Sequence, residues 1–310
     1  MNDGPTNARE HNRSRVRIGY TLWPGSFELT EPGAFLDEAE GLEVDTVEVP
    51  LFCTRLIANG RIIEPAMRWF EGHFSGRRQE VTSHAMLSIN LMDKVELLSE
   101  HERIARANIE VSARLGARIM VLHCGLSDHA DGTDGLEDGY ARQRDALCRL
   151  AETAEDHGVT ICVETIWSFD GRETALPSRL ASEIEQVDHP AVSATLDFAH
   201  SALQCQIKGA DLMSELFALA PHARHLHLND CFGIEKPLDI ALPSEASAYG
   251  SGDLHLPLGW GNLEWERMLT EPCFPPDVIL NHELHPTYWY ALPGEVRTLR
   301  TLAARMAEGD

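Results

Sequence analysis

The sequence predicts a single-domain α/β protein, a (β/α)8 barrel. Short β-branched runs alternate with longer amphipathic stretches, the rhythm of parallel strands joined by helices. No composition break or Pro/Ser/Gly linker divides the 310 residues. No G-x-G-x-x-G follows the first strand, which removes the main support for a doubly wound open sheet.

Taken in order, strands are expected near residues 16–20, 43–49, 80–84, 119–123, 160–164, 193–197, 225–228 and 278–283. Helices are expected over 93–115, 137–157, 177–187, 200–219 and 294–306. Gly116 and Gly158 each follow a helix and lead into a strand, as helix C-caps do. Eight such units close a barrel. Two connections, 50–79 and 229–277, are longer than closure requires, and long loops on a rigid scaffold often carry specificity. Residues 1–14 are polar, lack the apolar stretch of a secretion signal and are expected to be a flexible tail, leaving 15–310 as the barrel. The cytoplasm is the expected compartment.

An apolar content of 43% suits a globular core, and no apolar run approaches the roughly 20 residues that span a bilayer. Forty-nine acidic residues against 26 basic ones leave a net charge of −23. Such a field repels nucleic-acid phosphates and anionic membranes, although solubility alone would account for it. The charge therefore argues against a nucleic-acid or membrane partner without identifying the real one. The seven cysteines, Cys53, Cys124, Cys148, Cys162, Cys205, Cys231 and Cys273, include no Cys-x-x-Cys pair and read as free thiols in a reducing compartment.

The chemistry concentrates where strands end. The third expected strand ends in His84, the fourth in His123 and the fifth in Glu164. The sixth ends in Asp197, with His200 one turn later. The seventh supplies His227 and the eighth ends in Glu283, while Asp253 and His255 lie in the loop between them. A lone strand-end histidine is more often a hydrogen-bonded structural residue. Here the histidines and carboxylates fall at the same end of six successive strands, which a barrel directs into one bowl. These residue types are the usual ligands of divalent metals such as Mn, Co and Zn. The convergence, and no single residue, predicts a metal site.

Other histidines are held back. His225, two before His227, shares its face but lies deeper; His282, beside Glu283, faces the helices. His101, His157, His189 and His222 look like helix-surface or turn residues. His285 lies just past the last strand, within reach of a substrate. Trp23 and Trp167 are candidates for an apolar wall around a small ligand, with core packing as the plainer reading.

Several segments resemble the xylose isomerase-like TIM barrel superfamily, which includes sugar phosphate isomerases/epimerases and endonuclease IV-type AP endonucleases. Arg17-Ile18-Gly19-Tyr20-Thr21-Leu22-Trp23 is similar to the first strand of the isomerase branch. Leu196-Asp197-Phe198-Ala199-His200 fits its D-x-x-H strand end, and Asn281-His282-Glu283-Leu284-His285 its closing E-L-H segment. His227-Leu228-Asn229-Asp230, the Asp253–His255 segment with Gly259 and Gly261, and His84 six residues before Asn90 resemble both branches.

For the isomerase branch, the resemblance implies one catalytic divalent metal (Mn, Co, Mg or Zn) held by Glu164, Asp197, His227 and Glu283. It also implies an isomerase or epimerase of a ketose-like sugar or polyol derivative working through a metal-stabilised enediolate. Glu164 and Glu283 would be the acid/base pair, and His200, His123, Trp23, Trp167 and His285 would bind substrate. For the nuclease branch, it implies a trinuclear zinc site that adds His84, His123, His200, Asp253 and His255. The departures favour the isomerase: Glu164 is followed by Thr165-Ile166-Trp167 rather than Asn and small residues, and Leu254 stands where the nucleases carry Arg. A lyase or dehydratase on the same scaffold, and a barrel that binds without turnover, remain as alternatives. The loop 50–79, with Phe52, Trp69 and Phe74, is expected to close the bowl or to pack against a second subunit in a homodimer.

Overall fold

The computed structural model describes residues 16–128, 132–235 and 242–308; the expected tail lies outside them. Eight parallel strands form a closed barrel. They are β1 Arg17–Thr21, β2 Thr46–Pro50, β3 Glu80–His84, β4 Ile119–His123, β5 Thr160–Glu164, β6 Val192–Asp197, β7 Ala223–Leu228 and β8 Ile279–His282. Each strand pairs with its sequence neighbours, and β8 closes on β1 through the Arg17–Ile279 to Tyr20–His282 register. All eight fall where the sequence places them, to within a few residues.

Period-two alternation divides each strand between two cores. Outward-facing Tyr20, Val47, Val49, Met120, Leu122, Val163, Leu196, Leu226 and Leu280 belong to the large core beneath the helices. Inward-facing Ile119, Val121, Cys162 and Ile279 form a separate apolar plug inside the barrel. Above that plug the inward positions turn polar, and this is where the site begins.

The helices are α1 Pro32–Gly41, α2 Glu64–Gly72, α3 Val95–Arg114, α4 Gly132–Asp156, α5 Pro177–Val187, α6 Phe198–Lys208, α7 Leu212–Leu219, α8 Ala246–Tyr249, α9 Trp265–Thr270 and α10 Leu292–Glu308. The expected continuous helix over 200–219 is in fact two. Gly209 adopts a left-handed φ of 66° and ends α6, and Asp211 then caps α7 by accepting the Ser214 N–H. Gly116 and Gly158 take φ values of 78° and 67°, as C-cap glycines should. The connection over 50–79 holds a small hairpin and α2, whose Glu64 and Glu71 both bind Arg114 of α3. No helix among the described residues is long and apolar enough to cross a membrane.

Candidate active site

Nine strand-end and loop residues singled out in the sequence meet at the C-terminal mouth of the barrel. Donor atoms of Glu164, Asp197, His227 and Glu283 lie within 4.8 Å of one another. His227 stands at the centre of this quartet. Its Nδ1 is 2.8 Å from Glu164 Oε1, 3.4 Å from Glu283 Oε2 and 4.0 Å from Asp197 Oδ2. Asp197 and His227 are fully buried. Local folding explains the placement of Asp197. It ends β6 and caps α6, Oδ1 accepting the His200 N–H at 2.7 Å, while Oδ2 accepts from Asn229 Nδ2 at 2.9 Å.

A second group sits beside the quartet. His84 and His123 approach Glu164 Oε2 through Nε2 at 3.1 and 3.3 Å. Asp253 Oδ2 lies 2.5 Å from His255 Nε2 and 3.4 Å from His200 Nε2. Three of these rings are oriented in the same way. Nδ1–H of His84, His200 and His255 donates to the backbone carbonyls of Ala85, Thr165 and Glu283 at 3.0, 2.8 and 3.0 Å. Those bonds fix the tautomer and turn each Nε2 toward the bowl. His255 achieves this with a positive φ of 45°, a backbone cost often found where geometry serves a site.

So many carboxylates in one buried space push their titrations apart. Burial penalises a charged Glu164, but His227 and His123 outweigh it and hold its pKa well below the usual range. Burial raises Asp197 to about 7 against the pull of His200, and Glu164 and Asp253 add to the rise. Glu283 is also raised, by burial and by Glu164 and Glu48, against His227 and His255. For His200, burial disfavours the cation, yet Asp197 and Asp253 overcome it and hold the pKa well above the ordinary value. A divalent cation would relieve this crowding, and the His/carboxylate donor set fits one.

The group opens into a cavity of about 380 Å³. Its floor carries His84, His123, Glu164, His200, Asp253, His255 and Glu283, and its walls include Trp23, Phe27, Phe52, Leu87, Trp167 and Phe169. The two tryptophans expected to form an apolar wall do so, and Phe52 of the 50–79 connection joins them. His285 is not part of the lining. It is exposed and its Nδ1 accepts the Thr287 N–H at 3.2 Å; its ring lies 5.8 Å from that of Trp23, and its backbone N–H donates to the His255 carbonyl at 3.0 Å.

Two residues passed over in the sequence matter here. Glu48 on β2 is fully buried, its Oε2 3.0 Å from His227 Nε2. The available signal was an acidic residue between Val47 and Val49, whose outward positions turn Glu48 into the barrel. Asp230, quoted only as part of a motif, organises the loop that bears Asp253 and His255. It accepts from Gly259 N–H at 2.7 Å and Trp265 Nε1–H at 3.0 Å, and exchanges backbone bonds with Leu256 at 2.9 and 3.0 Å. A Cβ on Gly261 would collide with Asp230 Oδ1 and the Cys231 carbonyl, so only glycine lets the loop close over it.

Comparison with known proteins agrees with this geometry. A ketose 3-epimerase of Arthrobacter globiformis is 21% identical over 155 residues, 47% of this chain. The match spans about half, 52%, of that relative's length. A D-tagatose 3-epimerase-like protein superimposes with a TM-score of 0.70 at 17% identity, covering 94% of this chain and 99% of that one. The zinc-bound IOLI protein superimposes at 0.66 with 15% identity, covering 95% and 99%. These structural likenesses establish the fold. Residues 36–271 match the family described as xylose isomerase-like TIM barrel. With three quarters of its length matched and the closed eight-stranded barrel in place, the chain belongs to the xylose isomerase-like TIM barrel family.

Proposed function

We propose that this protein is a divalent-metal-dependent epimerase or isomerase of a ketose-like sugar or sugar derivative. The observation that carries the reading is the quartet Glu164, Asp197, His227 and Glu283, gathered within 4.8 Å, of which Glu164 and Glu283 line a small cavity. The ketose 3-epimerase relative and the D-tagatose 3-epimerase-like fold support it. The quartet would hold the cation, which when bound supplies electrophilic polarisation of adjacent carbonyl and hydroxyl oxygens.

The protein's own groups account for the proton transfers. Glu164 and Glu283 come from the fifth strand and the end of the eighth, so they approach a bound sugar from different sides. Glu164, held ionised, takes the proton from the carbon beside the carbonyl. Glu283, more readily protonated, returns one to the other face, which inverts that centre. His200 and His123 bind hydroxyls from the floor, and Trp23 and Trp167 exclude water above. The cavity volume lies at the low end of the range for small-molecule sites, about 300–1,000 Å³.

A second reading has its own observation. His84, His123 and Glu164 also bring donors within 4.8 Å of one another, and Asp253 bridges His200 and His255. Further ions there would make a phosphodiesterase with three zinc ions. The apolar cavity wall suits a duplex backbone poorly.

Metal analysis of the purified protein, paired with Glu164→Gln, separates the two. The epimerase reading expects about one divalent ion per chain, lost in the variant, and exchange of ketose stereoisomers followed by chromatography. About three zinc ions with cleavage of an abasic-site oligonucleotide would replace it with the nuclease. No bound metal after reconstitution would sink both.

A further inference from the structure

We propose that Glu48 is a positioning residue for the metal centre, holding His227 by its outer nitrogen so that Nδ1 faces the other three ligands. The inference rests on the reading of Glu164, Asp197, His227 and Glu283 as the ligand set. Glu48 belongs to β2 and His227 to β7, so the contact crosses the barrel interior. A carboxylate only accepts, so Nε2–H donates to Glu48 at 3.0 Å, while Nδ1, 2.8 Å from Glu164 Oε1, carries a second hydrogen that a bound cation would replace. The nitrogen left for the quartet is Nδ1, the atom nearest Glu164 and Glu283.

Histidines that bind metal commonly donate the other ring nitrogen to a carbonyl or carboxylate, which fixes ring orientation and raises ligand basicity. In this bowl His84, His200 and His255 use backbone carbonyls for that purpose. His227, alone of these four, is backed by a carboxylate. The stronger acceptor stands behind the ring at the centre of the quartet.

Glu48 is itself held in place. Thr21 Oγ1–H donates to Glu48 Oε1 at 2.9 Å, and Asn281 Nδ2–H donates to Thr21 Oγ1 at 2.8 Å. Thr21 Oγ1 accepts from Asn281, and its proton has two carboxylates in reach, Glu48 Oε1 at 2.9 Å and Glu283 Oε1 at 3.5 Å, of which Glu48 is the nearer and stronger acceptor. The relay Asn281–Thr21–Glu48–His227 runs from β8 through β1 and β2 to β7, so four strands set one imidazole. His225 does not share this role. Its Nε2 is 3.5 Å from Glu48 Oε2, and neither ring nitrogen makes a hydrogen bond among the described residues.

Glu48→Gln in the full chain keeps the size and removes the charge. The probe is Mn²⁺, its dissociation constant read by chelator competition, with melting of the metal-free protein measured alongside. The expected result is affinity weaker by about 10–100-fold at unchanged ion stoichiometry, with metal-free melting close to wild type. The visible spectrum of the Co²⁺ form should change as well. Thr21→Val, which removes the donor that holds Glu48, should weaken Mn²⁺ binding several-fold in the same direction. Should Glu48→Gln fail to fold, Thr21→Val decides.

Affinities within about twofold of wild type in the folded variants would overturn the inference while leaving the metal centre standing. Loss of one whole ion from a chain that binds more than one would also overturn it, because Glu48 would then be a ligand beside His225 and His227. A wild-type chain that binds no Mn²⁺ would sink the metal centre and this inference with it.

Discussion

The quartet around His227 and the trio of His200, Asp253 and His255 lie side by side, yet they are built differently. Glu164, Asp197 and His227 stand on strands, and Glu283 follows the last residue of β8. Their backbones are locked in barrel pairing, and His227 is tied across the interior to Glu48. Asp253 and His255 stand on a loop whose shape depends on Asp230, on Gly261 and on a left-handed His255. Strand-borne groups are held by the same hydrogen bonds that close the barrel. Loop-borne groups are held by side chains that one substitution can remove. The site therefore has a rigid half and an adjustable half, which suits a reaction centre on one side and substrate selection on the other.

That contrast can be tested by breaking each half in turn. The largest effect is expected in the rigid half. Glu283→Gln should lower kcat by about 10²–10⁴-fold, the range for removing a general acid or base, with little change in melting. A loss below about tenfold would remove Glu283 from the proton transfers.

Next comes the support of the adjustable half. Asp230→Ala strands the buried Trp265 Nε1–H and the buried Cys231 N–H, each costing about 1–3 kcal/mol. Denaturant unfolding should show destabilisation of about 3 kcal/mol or more, while Mn²⁺ stoichiometry is retained. If the ion is lost as well, the two halves are not independent.

The smallest effect is expected for Asp253→Asn, which keeps shape and removes a charge facing His200 and His255. Under a one-ion site it should raise KM by roughly tenfold, about 1.4 kcal/mol, and leave metal content alone. A drop in zinc content would move Asp253 into the ligand set and favour the nuclease reading.

Legibility followed the same division. His84, His123, Glu164, Asp197 and Glu283 could be read as strand ends because each closes a short run containing β-branched residues, which marks both the strand and its exit into the bowl. Asp253 and His255 had no such marker: the chain shows them only as a loop pair between the last two strands, and a ligand role came through the motif they resemble. Glu48 had a marker, the alternation with Val47 and Val49, but a single carboxylate in a strand has many explanations. The helix expected over 200–219 failed at Gly209, where the apolar pattern continues across the break and only the backbone reveals the turn. His285 reads as a further site residue from its place in the chain, yet its side chain is spent capping the turn that follows β8.

The sequence by itself determined the architecture. Period-two runs, helical stretches and glycine caps are local signals, and eight of them in series admit one closed arrangement. It also determined which residue types gather at the mouth, since strand direction sends every strand end to one face. Tertiary structure alone decided which nitrogen of each imidazole faces inward, that Glu48 stands behind His227, and that Phe27 and Phe169 join the two tryptophans in walling the cavity. Those outcomes depend on distances between residues far apart in the chain: Glu48 and His227 are separated by 179 positions and meet at 3.0 Å. A one-dimensional pattern has no term for such a contact; it exists only once the barrel closes.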